Sequence, residues 1–342
     1  MEAAYSPTFR ERLLRDWYLS RGTVLTTLLL PLSWLFRLIV SIRRAAYRRG
    51  LFDTRRLPVP VIVVGNLTVG GTGKTPLVAW LADELRARKL RPGIVARGYG
   101  GANTVPRAVT PDDDPRVVGD EPILLAQKGI PVWVGHDRVA TARALLEAEP
   151  RVSLIISDDG LQHYRLARDM EILVVDGTRG FGNGRMLPAG PMREPHDRVT
   201  AVDAIVVNNA VAERMPFTTR PPMYMMHLSG EEFVSLAEPA RTASADAFAG
   251  KRVQAIAGIG NPGRFFDSLR KLGLDPVCHV FPDHHAYARE DVEYRDADII
   301  VMTDKDAIKC RGFADPRMWR LPVAASVGPG LVEGILEKVH GH

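Results

Sequence analysis

A chain of 342 residues, 46% hydrophobic and 25% charged, has the length for one large or two modest globular domains with a well-buried core. Its two cysteines, Cys278 and Cys310, exclude a disulfide framework and sit in no Cys/His cluster, which argues against structural zinc and makes a reducing compartment the default. The net charge of +5 gathers in residues 1–56, which hold eleven arginines, no lysine and four acids (Glu2, Glu11, Asp16, Asp53); the remainder is slightly acidic, so no nucleic-acid partner is expected.

The arginines flank the apolar run 24–40, VLTTLLLPLSWLFRLIV, interrupted by Thr26, Thr27, Pro31, Ser33 and Arg37. The run falls short of the roughly 20 apolar residues of a spanning helix and contains a charge. No small-residue cleavage site follows it, so it is not a signal peptide. Arg10, Arg12, Arg15 and Arg21 on one side and Arg43, Arg44, Arg48 and Arg49 on the other leave its orientation undefined. Basic flanks of this kind predict a helix held at an anionic membrane surface from the cytoplasmic side. A buried core helix is the alternative.

From residue 58 onward, apolar runs alternate with amphipathic stretches. Strands are predicted at 59–64, 93–96, 132–134, 154–157, 172–175 and 204–207, with helices at 76–88, 121–127 and 138–147. The Pro/Thr-rich stretch Pro216–Pro222 reads as a boundary near residue 220, and 223–228 as an extended connector. A second unit follows, with strands at 253–257, 277–280 and 299–302 and a helix at 264–272. The predicted fold is α/β: a P-loop NTPase-like, largely parallel sheet with helices on both faces, plus a smaller C-terminal α/β subdomain and an N-terminal membrane-associated helix. The predicted domains are 1–56 (the basic helical segment), 57–220 (the P-loop core) and 221–342 (a subdomain closing over the active site).

Val61–Val64 leads into Gly65-Asn66-Leu67-Thr68-Val69-Gly70-Gly71-Thr72-Gly73-Lys74-Thr75. Glycines turn backbone N–H groups toward phosphate oxygens, and the helix that follows adds its positive end. Lys74 reaches the outer phosphates and the Thr75 hydroxyl ligates Mg²⁺, so residues 68–75 are the nucleotide-binding candidates. Thr68 stands where the general pattern has glycine. The strand 154–157 runs into Asp158-Asp159-Gly160, where an acid holds Mg²⁺ and a second orients the nucleophile; Asp176, after 172–175, competes for that place. Asp120, in Gly119-Asp120-Glu121-Pro122, reads as an N-cap when taken alone. His284, in Phe281-Pro282-Asp283-His284-His285, is suited to acid–base chemistry.

The set as a whole, VGNLTVGGTGKTP (64–76), ARGYGG (96–101), VGDEP (118–122), SDDGLQHYRL (157–166), GNGRMLPAGPMREP (182–195), GIGNPGRFF (258–266), FPDHHAY (281–287) and MTDKDAIKC (302–310), resembles the lipid A 4′-kinase, or tetraacyldisaccharide 4′-kinase, family from the apolar helix to about residue 312. That family's loop carries Ser or Thr at the Thr68 position. The resemblance implies ATP and Mg²⁺ as cosubstrates, and as acceptor the 4′-hydroxyl of a tetraacylated glucosamine disaccharide 1-phosphate at the cytoplasmic face of the inner membrane. It further implies Asp120 as catalytic base with His284 as its partner, and Asp158 and Asp159 near Mg²⁺ and the transferring phosphate. Glu121, Arg138, Gln162 and His163 match further polar site positions, Arg138 as a candidate to stabilise the transferring group. Asp304 departs from the Glu common at its position. His284 falls in the predicted subdomain 221–342 and Asp120 in the core, so their pairing is expected to need domain closure. Thr303–Asp306 is the candidate for contacts to the nucleotide base.

Three rival readings remain. A membrane-associated regulatory P-loop ATPase would carry lysine where Val69 stands. Gly258-Ile259-Gly260-Asn261-Pro262-Gly263 fits the dinucleotide fingerprint, although Pro262 lacks an N–H. A non-catalytic membrane adaptor that binds nucleotide is the third.

Overall fold

The computed structural model describes residues 9–19, 22–209 and 220–340. The chain packs as two compact units interleaved along the sequence. The first comprises residues 1–72, 159–226 and 327–342, and the second 73–158 and 227–326. The expected boundary segment lies, up to residue 219, outside the described residues.

In the first unit, Val61–Gly65, Met170–Asp176, Ala204–Asn208 and Met223–Ser229 pair in that order, all parallel. Val61–Gly65 and Ala204–Asn208 are buried at every position, as parallel strands covered on both sides require. The sequence expectation fails at 223–228: this is no connector but a strand, with Met223 to Met226 in register with Ile205 to Asn208. The apolar N-terminal run is also not one helix. Val24–Leu28 stops at Leu29, and Leu30–Arg48 restarts with Pro31 in its first turn, where a missing N–H costs nothing. The second helix fixes itself through Ser33, whose hydroxyl donates to Met186 O at 2.8 Å. Leu32, Trp34, Leu35, Leu38, Ile39 and Ile42 stay exposed, which rules out the core-helix alternative. Among the described residues, no helix is long and apolar enough to cross a membrane.

In the second unit, Leu154–Asp158, Pro92–Ala96 and Val132–Val134 pair in parallel, and Arg107–Val109 joins antiparallel. The helices Lys74–Ala87 and Arg138–Ala148 pack on these strands through Leu77, Leu81, Leu85, Val139 and Leu145. A second sheet runs Val277–Val280, Val253–Ala257, Ile299–Thr303 and Met318–Leu321 in parallel, with Phe233–Ser235 antiparallel beside the last and the short Thr242–Ala243 antiparallel beyond it at the edge. Phe233, Phe248, Phe265, Leu269 and Trp319 fill one of its cores. The glycine turn 258–263 joins strand Val253–Ala257 to helix Pro262–Lys271. Pro262 begins that helix, where no N–H is needed, and a Cβ on Gly258 would sit 2.8 Å from the Tyr287 hydroxyl. The glycine there serves a close approach within the protein. The largely parallel α/β architecture is as expected.

Candidate active site

The phosphate loop leaves the buried end of Val61–Gly65. Asn66 Nδ2 donates to Gly70 O at 3.3 Å, Asn208 Nδ2 donates to Thr72 O at 3.0 Å, and Val69 N donates to Pro191 O at 2.9 Å. Thr68 forms an antiparallel bridge with Met192, an extended pairing that glycine is not needed for. This explains why the strict pattern can break there. Gly70 (φ 103°) and Gly73 (φ 91°) take the left-handed conformations that side chains resist. A Cβ on Gly71 would meet no atom within 4 Å, so the front of the loop has room for a phosphate.

Sequence reading missed Arg179 beside this loop. Its guanidinium donates to Gly71 O and pairs with Asp176 Oδ2 at 3.1 Å. Asp176 also accepts from Thr178 N (3.0 Å), Thr178 Oγ1 (2.8 Å) and Arg179 N (3.2 Å), so the competing magnesium candidate is committed to its own turn. Asp159 adopts φ 49°, and both its carboxylate oxygens accept from Arg193 Nη1 at 3.1 and 3.0 Å. Gln162 Nε2 donates to Asn66 O at 3.2 Å, tying the acidic turn to the base of the loop. His163 lies in that turn, its N–H donating to Gly160 O at 2.9 Å.

In the second unit, Gly73 caps helix Lys74–Ala87, which presents Lys74 and Thr75, both half-buried, in its first turn. The helix packs on strand Leu154–Asp158, whose last residue, Asp158, is buried. Arg138 is buried. Its Nη1 donates to Gly135 O at 2.8 Å and its Nη2 to Asp158 O at 3.2 Å, so it braces the strand end that carries Asp158.

The most concentrated chemistry gathers at Asp120. Backbone forces this placement. Gly119 has φ 85°, and a Cβ there would meet Tyr99 O at 2.7 Å, while one on Gly101 would meet Val117 O at 2.4 Å. The runs ARGYGG and VGDEP therefore clamp together backbone to backbone and open helix Asp120–Ala126. That helix packs against Asp304–Cys310. His284 Nδ1 comes to 3.4 Å from Asp120 Oδ2, and its ring packs on Tyr99 with centroids 4.8 Å apart. Both residues belong to the second unit. Lys305 Nζ lies 3.2 Å from Glu121 Oε1, 3.3 Å from Asp283 Oδ1, 3.4 Å from His284 Nε2 and 4.0 Å from Asp120 Oδ1. Lys309 Nζ lies 3.8 Å from Asp120 Oδ2 and 2.9 Å from Asp306 Oδ1.

Burial by itself pushes the Asp120 carboxyl up. His284, Lys305 and Lys309 together outweigh it and hold the group below the usual carboxylate range. Burial opposes the charge on Lys305 too, yet Glu121, Asp120 and Asp283 keep its ammonium protonated to well above its ordinary value. Both charges are thus stabilised by the same cluster. Thr303 and Asp306 are engaged with one another. Thr303 Oγ1 donates to Asp306 Oδ2 at 2.7 Å, Gly258 N donates to the same oxygen at 3.1 Å, and Asp306 is fully buried.

Among the described residues, no group of three or more His, Cys, Asp or Glu side chains forms a metal cage. The donors present, the Thr75 hydroxyl and the Asp158 carboxylate, instead suit a cation that takes its remaining ligands from nucleotide phosphates and water, as Mg²⁺ does.

A model of the Tetraacyldisaccharide-1-P 4′-kinase family matches residues 25–340. The chain is 48% identical over 336 residues to a tetraacyldisaccharide 4′-kinase of Methylobacillus flagellatus, covering 97% of both chains. It is 50% identical over 331 residues to one of Chromobacterium violaceum, covering 95% of this chain and 97% of that one. A crystal structure of LpxK from Aquifex aeolicus in complex with ATP superposes with a TM-score of 0.79 at 31% identity, over 92% of this chain and 100% of that chain.

Proposed function

Because the chain belongs to the tetraacyldisaccharide-1-phosphate 4′-kinase family and is a kinase of lipid A biosynthesis, we propose that it moves the γ-phosphoryl group of ATP to the 4′-hydroxyl of a tetraacylated glucosamine disaccharide 1-phosphate, with Asp120 as the accepting base. The observation that carries the assignment of Asp120 is its pairing with His284 inside a cluster that keeps the carboxylate ionised.

Bound MgATP supplies the phosphoryl group and part of the neutralisation of its charge. The loop 68–75 cradles the phosphates with its N–H groups, and Lys74 draws the outer ones. Thr75 and Asp158 hold the cation, with Arg138 bracing the backbone of Asp158. Asp120 accepts a hydrogen bond from the 4′-hydroxyl and takes its proton as the new P–O bond forms and the bond to the leaving ADP breaks. A carboxylate held this low is a weak base. Phosphoryl transfer through a loose transition state asks chiefly for orientation and asks for the proton late, which a weak base can meet. His284 fixes the carboxylate's rotamer. Asp159 and Arg193, paired, and Gln162 and His163 shape the acidic turn beside the loop, and Glu121 balances Lys305.

The exposed face of helix Leu30–Arg48 supports attachment to a membrane. Trp34, Leu35, Leu38, Ile39 and Ile42 are directed to solvent, with arginines beside them, the pattern of an interfacial helix rather than a span. Attachment there, at the cytoplasmic face of the inner membrane, brings the enzyme to a substrate whose acyl chains stay in the bilayer. Removal of either member of the pair tests the assignment. Purified Asp120→Ala and His284→Ala proteins are expected to melt cooperatively and to lose at least about 10²-fold in turnover; near wild-type turnover in either refutes the assigned role.

A further inference from the structure

We infer that Lys305 is a positioning residue that fixes His284 as the tautomer carrying its proton on Nδ1, so that the ring donates to Asp120. The inference rests on the reading of Asp120 as the accepting base, and it starts from the donor inventory. An ammonium group has three N–H donors and no acceptor. Lys305 Nζ lies 3.4 Å from His284 Nε2, so that nitrogen must be the acceptor. The proton then sits on Nδ1, 3.4 Å from Asp120 Oδ2, where it is donated to the carboxylate.

The other tautomer fails at both ends. It would aim an Nε2–H at the ammonium and a bare Nδ1 lone pair at the carboxylate. Protonating both nitrogens repeats the donor-to-donor clash at Nε2. The other group close to Nε2 is Asp283 Oδ1 at 3.8 Å, and that oxygen already accepts from Lys305 at 3.3 Å. Lys305 is itself held in place by Glu121 at 3.2 Å and is mostly buried.

The ring has little freedom to escape this arrangement. His284 sits at φ 63° and packs on Tyr99, and a Cβ on Gly100 would lie 3.4 Å from Nδ1. Such a conformation in a non-glycine residue persists only where the surroundings over-determine it. The charged groups that face the pair are Lys305 and Lys309 from the helix Asp304–Cys310, Glu121 from the Asp120 helix, and Asp283 from the turn that carries His284. Lys309 reaches Asp120 but has its own partner in Asp306. Lys305 is therefore the cation that addresses the imidazole. The lysine also explains why a histidine beside an aspartate assists here as an orienting donor rather than as a second base.

The test pairs a spectroscopic readout with kinetics on the full-length protein. Nitrogen-15 NMR of histidine-labelled wild-type protein, with His284 assigned through His284→Gln, is expected to show Nδ1 protonated and Nε2 bare. Lys305→Met is expected to let the Nε2–H tautomer appear and to lower kcat at least about tenfold, with KM for ATP unchanged. Lys305→Arg, which supplies another pure donor, is expected to restore the wild-type tautomer and most of kcat. An Nε2–H majority in the wild type overturns the inference, as does a Lys305→Met protein whose tautomer matches the wild type. Should Lys305→Met fail to fold, the wild-type tautomer and Lys305→Arg decide alone. Failure of the underlying reading looks different: Asp120→Asn would keep its turnover, whatever the tautomer of His284.

Discussion

Lys309→Met is a sharp test of how the acidic cluster is held together. Asp306 is fully buried, and Lys309 is nearly so. One oxygen of Asp306 accepts from Thr303 Oγ1 and Gly258 N, at 2.7 and 3.1 Å, while the other faces Lys309 at 2.9 Å. Removing the ammonium leaves one side of a buried carboxylate without its counter-charge, a change that costs about 3–5 kcal/mol. Asp120 loses less, because Lys305 and His284 remain beside it. Replacing both partners behaves differently: Asp306→Asn with Lys309→Met keeps the oxygen that Thr303 and Gly258 address and removes the stranded charge. The double variant is expected to lose less than about 2 kcal/mol, since deleting both members of a pair is far milder than deleting one. Urea unfolding at pH 7, with the slope checked for constancy, gives both numbers and their coupling. A single variant within about 1 kcal/mol of wild type, or a double variant as unstable as the single, refutes the argument that Lys309 acts as the buried counter-charge.

Other consequences follow from the same geometry. Asp120 is held below the usual carboxylate range, so it adds stability above about pH 4, its unfolded value, and that stability is lost as pH falls through its folded value. The stability gap between wild type and Asp120→Asn is therefore expected to narrow between pH 7 and about pH 3 in chemical denaturation; a gap that stays constant contradicts the charge assignment. Gly119→Ala places a Cβ 2.7 Å from Tyr99 O at φ 85°, and should lower kcat and melting temperature together, whereas Gly129→Ala, also at positive φ but in open space, should lower stability by about 1 kcal/mol and leave kcat intact. Leu35→Glu with Ile39→Glu on the exposed helix face should release the protein from anionic vesicles in flotation while leaving its circular dichroism unchanged; retained binding argues against that face as the membrane contact.

The parallel strands were legible as short apolar runs, some of them ending in glycine or acid, as at Val61–Gly65 and Leu154–Asp158. Met223–Ser229 was not. Its place after Pro221 and Pro222 and its mix of apolar and polar residues resemble a linker, and only pairing with Ala204–Asn208 makes it a strand. The break at Leu29 was signalled by Pro31, but the apolar residues on both sides of it masked the break. Asp120 and His284 were legible only as parts of long motif runs, since a lone aspartate at a helix start is usually a cap. Lys305 and Lys309 carried no signal beyond lying in MTDKDAIKC: a lysine on a short helix looks like a solvated one until the fold buries it. Arg138 gave no sign in the sequence of its second task, bracing the strand end at Asp158 through carbonyl oxygens.

The most direct measurement is ATP consumption by the purified full-length protein, with and without tetraacylated disaccharide 1-phosphate, followed by mass analysis of the lipid. Consumption is expected to depend on the acceptor and the product to be heavier by one phosphate at the 4′ position, with neither signal from Asp120→Asn. Acceptor-independent hydrolysis with no phosphorylated lipid would contradict the assignment.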